Sequence, residues 1–247
     1  MNTENETPLD TASSGKHDGP LRTFGRRRGR KLSPRQASLF IGGLERLRLD
    51  LSRPIGEGGL PGLFADPVAE TWLEIGFGAG EHLVWQAAHN SSAGIIGAEP
   101  FVNGVVAALA GIEALKLEGR VRLHSDDVHP LLDWLPAASL SRAFMLFPDP
   151  WPKKRHRARR LFAPPLLTTM ARLLRPGAEF RFASDIADYA EAAIEHALAH
   201  PDFDLALTFT SAARDTLPDW PVTRYETKAM REGRSSTFIV LKRRPAA

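Results

Sequence analysis

The chain has no cysteine among its 247 residues. That absence excludes disulfides, thiolate metal sites and a cysteine nucleophile, and it fits a reducing compartment. Long apolar runs are also missing: none approaches the roughly 20 residues of a membrane-spanning helix. Of the eight histidines only His196 and His200 have H-x-x-x-H spacing, and no Glu stands between them as a zincin motif requires, so no metal is expected. The first residues are polar and lack the basic-then-apolar order of a secretory leader, so a cytoplasmic location is expected. No internal repeat is present. The formal net charge is only +3, which makes the clustering of charge more informative than its sum. Hydrophobic residues make up 43% and charged residues 25%, an ordinary composition for one large soluble α/β domain with extensions.

Residues 1–20 are rich in Thr, Ser, Asn, Asp, Glu and Gly, with little to bury, and are expected to be a disordered tail. Residues 21–53 read as a basic N-terminal arm, carrying Arg22, Arg26, Arg27, Arg28, Arg30, Lys31 and Arg35 with no acid among them. The remaining stretch, 54–247, reads as the main domain, entered through a Gly- and Pro-rich loop at 54–67. There, apolar runs at 71–76, 94–99, 121–124, 142–147 and 179–183 alternate with helical patterns near 81–89, 101–117, 131–135, 165–174 and 186–199. This alternation predicts an α/β fold, a mostly parallel sheet with helices on both faces. Two closing β-rich runs, 203–210 and 236–242, have no long helix between them and fit a C-terminal antiparallel pair. Ligands of such sheets sit at the carboxyl ends of the strands.

One motif ends the first strand: Glu74-Ile75-Gly76-Phe77-Gly78-Ala79-Gly80. Its glycines let the backbone turn sharply and approach a ligand closely. A dinucleotide fingerprint needs glycine at position 81, where this chain has Glu, whose charge opposes a pyrophosphate at a helix start. The pattern, with Glu74 ahead of it, suits a cofactor without phosphates and with an ammonium end, such as S-adenosylmethionine. The second strand ends Gly97-Ala98-Glu99-Pro100, which places a carboxylate for the two hydroxyls of a ribose. The third ends Ser125-Asp126-Asp127, with an acid for an adenine amino group. Glu74, Gly76, Gly78, Gly80, Glu99, Asp126 and Asp149 are therefore the candidate cofactor residues.

The fourth strand runs into Phe147-Pro148-Asp149-Pro150-Trp151-Pro152-Lys153-Lys154-Arg155-His156-Arg157-Ala158-Arg159-Arg160. A carboxylate fixed between prolines beside an indole suggests base recognition or catalysis. Lys153 follows closely enough to meet that carboxylate or a substrate phosphate. Lys154, Arg155, Arg157, Arg159 and Arg160, with His156 among them, form a block free of acids and suited to phosphate contacts. The N-terminal arginines offer a second, flexible clamp on nucleic acid.

With Ser184-Asp185 and Thr223-Arg224-Tyr225-Glu226, these runs resemble the bacterial tRNA (guanine-N7)-methyltransferases. The resemblance spans roughly residues 70 to 240, in order. Its most specific part is Pro148-Asp149-Pro150-Trp151-Pro152-Lys153-Lys154, whereas most methyltransferases share the glycine turn. It implies a Rossmann-like class I fold and methyl transfer from S-adenosylmethionine to N7 of guanine 46 in the tRNA variable loop, by a monomer or homodimer. It further implies Asp149 as the catalytic carboxylate, and Lys153, Asp185, Thr223, Arg224, Tyr225 and Glu226 as substrate contacts. The chemistry agrees: guanine N7 carries a free lone pair, so the task is alignment and electrostatics rather than proton abstraction. Guanine N1–H and its amino group are donors for a second carboxylate, Asp185 or Glu226, with the Thr223 hydroxyl nearby.

Other readings stay open at this stage. Asp149-Pro150 resembles the Asp/Asn-Pro-Pro-aromatic turn of exocyclic adenine methyltransferases, although position 151 is Trp rather than Pro. A non-catalytic RNA-binding subunit with the same fold is a third reading, against which the intact glycine turn and Asp149 weigh.

Overall fold

Apolar strands lacking polar alternation need cover on both sides, and the computed structural model shows how this chain provides it. It describes residues 25, 27–216 and 219–245. The tail expected at 1–20, and Arg22 and Arg26 of the basic arm, lie outside the described residues. In chain order the elements are α1 (Pro34–Leu47), β1 (Glu70–Ile75), α2 (Glu81–His89), β2 (Ala93–Ala98), α3 (Val102–Ala114), β3 (Val121–His124) and α4 (Val128–Trp134). They continue with β4 (Leu140–Leu146), α5 (Pro164–Leu173), β5 (Leu174–Ser184), α6 (Ala187–Ala199), β6 (Phe203–Thr210), α7 (Arg224–Arg231) and β7 (Thr237–Arg243).

The seven strands form one sheet in the order β3-β2-β1-β4-β5-β7-β6. The first five are parallel. β7 runs antiparallel to β5 and pairs with β6, as the two closing runs led us to expect. Adjacent residues of each strand face opposite sides, so the core divides in two. Leu73, Ile96, Met145 and Phe182 pack with α4, α5 and α6. Trp72, Ile95, Phe144 and Val240 pack with α1, α2 and α3.

Two helices were not anticipated. Within the stretch read as a basic arm, Pro34–Leu47 forms α1, opened by a capping box: the Gln36 N–H donates to Ser33 Oγ (3.3 Å) and the Ser33 N–H to Gln36 Oε1 (3.0 Å). Leu44 and Leu47 are buried in the second core. The eight-residue α7 is short and strongly polar on average, with Ala229 its only buried apolar residue, so no apolar run marked it.

The segment that returns from β6 to α7 is held by charge. Arg142 on β4 and Arg181 on β5 both reach Asp219: Arg181 donates twice (2.9 and 3.0 Å) and Arg142 once (3.0 Å). Glu179 accepts from Arg181 as well. Arg142 lies 4.5 Å over the Trp72 ring and Arg181 5.5 Å over that of Trp220. Burial pushes the Asp219 carboxyl up, but the hydrogen bonds and charges of Arg181 and Arg142 outweigh it, and the net shift is downward. For an acid with a depressed native pKa, the stabilisation is complete above its unfolded value and disappears as pH falls through the native one. Asp219 thus contributes fully at neutral pH. Arg181 is only 3% exposed, and Asp219→Ala removes one of its two counter-charges, the other being Glu179. The expected cost is about 1–3 kcal/mol, discounted for the partial exposure of Asp219. A thermal melt should show Tm lower by roughly 3–10 °C, and an unchanged Tm refutes the anchoring role.

Candidate active site

β2 lies on one side of β1 and β4 on the other, so the chain leaves the central strand in opposite directions. The crevice at such a switch point is where open α/β sheets bind ligands. Gly76, Gly78 and Gly80 sit there with φ of 74°, 56° and 78°, a left-handed conformation that strains any other residue. A Cβ at Gly76 would point into open space, while one at Gly104 of α3 would collide with the Gly78 carbonyl oxygen. The helix therefore presses against the back of the turn while its front stays clear. That front opens on a cavity of about 300 Å3, lined by Gly76, Gly78, Glu99, Phe101, Met145, Asp149 and Tyr225.

Glu99 is 8% exposed. Its Oε2 accepts the Gly78 N–H (2.8 Å) and its Oε1 the Phe101 N–H (2.9 Å), which ties strand end to glycine turn. Burial raises its pKa, the negative charges of Asp149 and Glu74 add to the rise, and the two backbone hydrogen bonds offset part of it. Each oxygen keeps acceptor capacity for a ligand hydroxyl. A clear cradle at Gly76, an acid fixed beside it and a negatively charged rim fit a cationic, phosphate-free nucleoside.

Two of the other three expected cofactor acids are placed differently. Glu74 is buried behind the turn rather than facing the cavity: its Oε2 accepts from His82 Nδ1 at 2.7 Å, and it borders a smaller cleft with Phe77, Glu81 and Thr223. It does not line the cavity, so the structure places no direct contact between it and a ligand's ammonium group there. Asp126 is exposed, accepts the Asp127 N–H (2.7 Å) and is paired with Arg27. Arg27 belongs to a strap from the basic arm. Its carbonyl accepts the Val102 N–H (3.0 Å), the Gly29 N–H donates to Asn103 Oδ1 (2.8 Å), and Asn103 Nδ2 donates to the Arg30 carbonyl (2.8 Å). Phe101 caps α3 with no side-chain hydrogen bond, so the strap satisfies amides that the helix start leaves open. Its first described residue, Gly25, lines the cavity beside Asp149.

Asp149 stands exposed at the end of β4, in a turn bracketed by two left-handed residues, Phe147 (φ 53°) and Trp151 (φ 43°). Such strain persists only where the surroundings over-determine the backbone. The Phe147 N–H bonds the Ala183 carbonyl (2.8 Å), and Arg160 holds the other limb. Arg160 was expected to contact RNA, but it is 8% exposed. It donates to the Pro150 carbonyl (2.8 Å) and Asp188 (2.9 Å) and lies 4.6 Å over the Tyr189 ring. It is a brace, corrected from a phosphate ligand. Arg157 is half-exposed and also pairs with Asp188 (2.7 Å). Arg159 and His156 pack on Trp151. Lys153, Lys154 and Arg155 face solvent, the last two on a short 3-10 helix, Lys154–Arg159.

The remaining expected residues gather on the far rim. Thr223 caps α7, accepting the Glu226 N–H at 3.4 Å. Both are buried, Glu226 at 1% exposure, and the cap uses only the Glu226 backbone N–H, so its carboxylate presents no exposed face to a base. The T-x-x-E spacing was the available signal for this helix. Arg224 and Tyr225 point outward, and Tyr225 stacks on Phe147 with ring centroids 6.3 Å apart at 18°. Sequence reasoning missed Glu81, which accepts the Arg224 N–H (2.9 Å) and so joins the glycine turn to α7. Asp185 follows β5 and pairs with Arg234 (2.7 Å). Among the described residues there is no group of three or more His, Asp or Glu placed to hold a metal, and no helix long and apolar enough to cross a membrane.

Known proteins match this arrangement. The solved structure of 16S rRNA methyltransferase KamB aligns with a TM-score of 0.54 at 16% identity, over 78% of this chain and 96% of that one. TrmN from Thermus thermophilus aligns with a TM-score of 0.52 at 15% identity, over 71% of this chain and 44% of that one. A family model described as "Putative methyltransferase" matches residues 69–239. The fold is that of the Rossmann-like class I methyltransferases, which use S-adenosylmethionine. Curated relatives narrow the class. A tRNA (guanine-N(7)-)-methyltransferase of Mesorhizobium japonicum is 44% identical over 92% of this chain and 98% of its own. Another, from Caulobacter vibrioides, is 46% identical over 86% and 91%. The chain belongs to the tRNA (guanine-N7)-methyltransferase family.

Because Glu99 must be ionised to accept a hydroxyl pair, cofactor affinity should fall on acidification at a pH above the ordinary carboxylate value of about 4.3. Glu99→Gln should bind roughly 10–100-fold more weakly at neutral pH and lose that dependence. Calorimetry across pH decides, and a parallel profile in wild type and variant removes Glu99 from the site.

Proposed function

We propose that this protein methylates N7 of guanine 46 in the variable loop of tRNA, in the cytoplasm, with S-adenosylmethionine as donor. The observation that carries this reading is the juxtaposition at the sheet's carboxyl edge. An acid-rimmed cavity, a strained turn holding Asp149 and a solvent-facing cation strip lie side by side. S-adenosylmethionine supplies an electrophilic methyl group when bound. Gly76, Gly78 and Gly80 shape its cradle, Glu99 meets its ribose, and Asp126, once released by Arg27, meets its adenine.

Guanine N7 needs no deprotonation, so this chain's residues align and stabilise. Tyr225, stacked on Phe147, offers an aromatic face for the flipped-out base. Asp185 accepts from the guanine N1–H or amino group. Asp149 places negative charge where the guanine imidazole becomes cationic. Lys153 and Arg224 contact phosphate close to the base, while Lys154, Arg155 and the outer faces of Arg157, Arg159 and His156 extend that contact along the backbone. Thr223 and Glu226 act from inside, by holding α7.

Incubation with methyl-labelled cofactor and unmodified tRNA, followed by mapping of the labelled nucleotide, tests the assignment; label at another base or atom overturns it. Asp149→Asn keeps the turn and removes the charge. Its single-turnover rate should fall about 100-fold with tRNA binding little changed, and a wild-type rate would move the catalytic role elsewhere. Replacing Lys154 and Arg155 by Ala should weaken tRNA binding. The slope of log affinity against log salt should flatten by somewhat under one unit for each phosphate no longer neutralised. An unaltered slope would make the strip a solvated face only.

A further inference from the structure

Arg234 is a residue for which neither the family motifs nor the chemistry above supplies a role. It follows α7 in a Schellman turn: the Gly233 N–H bonds the Met230 carbonyl (3.0 Å), and the Arg234 N–H reaches back to the Ala229 carbonyl (2.9 Å). Gly233 takes the required left-handed φ of 71°. The turn fixes the backbone from which the guanidinium extends to Asp185, while its Nη1 pairs with Glu232. Nε and Nη2 both donate to a single Asp185 oxygen, Oδ2, at 3.0 and 2.7 Å. This convergence leaves Oδ1 outside the clamp. An aspartate otherwise rotates about two side-chain bonds. Here one oxygen is held by a fork of fixed geometry and the other is presented at a set position beside the end of β5.

We propose that Arg234 is a positioning residue for base recognition, orienting Asp185 so that Oδ1 accepts from the exocyclic amino group of guanine. The inference rests on the reading of Asp185 as the guanine-recognising carboxylate. It also explains why α7 is tied at both ends. Glu81 holds its first residue beside the cofactor turn, and Arg234 holds its last turn against the guanine acceptor. Both halves of the reaction are thereby set from one short helix.

The test uses the full-length protein and two tRNA transcripts, one with guanine and one with inosine at the methylated position. Inosine keeps N7 and N1–H but lacks the amino group. Wild type should prefer guanine, and Asp185→Asn should lose that preference. Arg234→Ala should raise KM for tRNA roughly tenfold and narrow the guanine-over-inosine preference, with cofactor affinity and Tm held. Arg234→Lys, which restores the charge without the fork, should recover part of the KM and less of the preference. If Asp185→Asn loses the preference while Arg234→Ala keeps both KM and preference, the positioning role is overturned and the reading of Asp185 stands. If Asp185→Asn itself keeps the preference, that reading fails and the role of Arg234 falls with it. Should Arg234→Ala lower Tm, the Lys variant decides: a wild-type preference in it refutes the need for the fork.

Discussion

Two arginines on adjacent strands share one carboxylate, and the far rim of the active site depends on that arrangement. Arg142 and Arg181 sit on β4 and β5, among the strands that form the site's floor, and both end on Asp219. The pull on Asp219 brings the segment after β6 back under the sheet, where Trp220 is buried against Phe209 and Phe238. Three residues later Thr223 starts α7. A second line of contacts reaches the same point from the cofactor side. Glu74 accepts from His82, Gln86 bonds His82 (3.1 Å), and Gln86 donates to the Asp219 carbonyl (2.7 Å). Every member is buried or partly so, and in such surroundings an unmatched polar atom is costly. The distance between the glycine turn and Tyr225 is thus set by a closed chain of polar contacts, not by the loop that joins them in sequence.

The fold was largely legible because its strands are apolar runs separated by helical patterns, and that periodicity survives without knowledge of partners. β3, β6 and α2 fall where the residues placed them. α1 carries an apolar stripe through Phe40, Leu44 and Leu47 that the arginines around it masked, and α7 is too short and polar to be marked except by its cap. Ser33 and Thr223 each stand three residues before a Gln or Glu, and that spacing competes with a functional reading of the same residues. At Thr223 the structure shows the cap itself, its hydroxyl accepting the Glu226 N–H.

The site was legible in its motifs but not in its charges. An arginine in a basic run looks the same in sequence whether it faces RNA or a carbonyl. Arg160 and Arg155 are five residues apart, yet one is buried on Pro150 and Asp188 while the other faces solvent. The difference comes from Asp188, at the start of α6, brought there only by the parallel crossover from β5. Asp126 and Arg27 make the same point across 99 positions. Long-range pairs of this kind are decided by topology, which no local pattern encodes.

Electrostatics and strain work in one direction at Asp149. Burial is the main cause of the raised pKa of Glu99, and the negative charges of Asp149 and Glu74 add to it. Repulsion of that sort is relieved when a cation enters the cavity, so the cluster favours a sulfonium over a neutral or anionic nucleoside. Left free, Asp149 would relax away from its neighbours. Left-handed residues on either side, Pro148 and Pro150 within the turn, and Arg160 bonded to the Pro150 carbonyl deny it that freedom. Conformational strain of about 1–3 kcal/mol for each such residue is held against the buried packing of Phe162, Tyr189 and Phe182 beneath the turn. The carboxylate is consequently held in place by the turn, the preorganisation that the proposed stabilisation of a cationic guanine ring calls for.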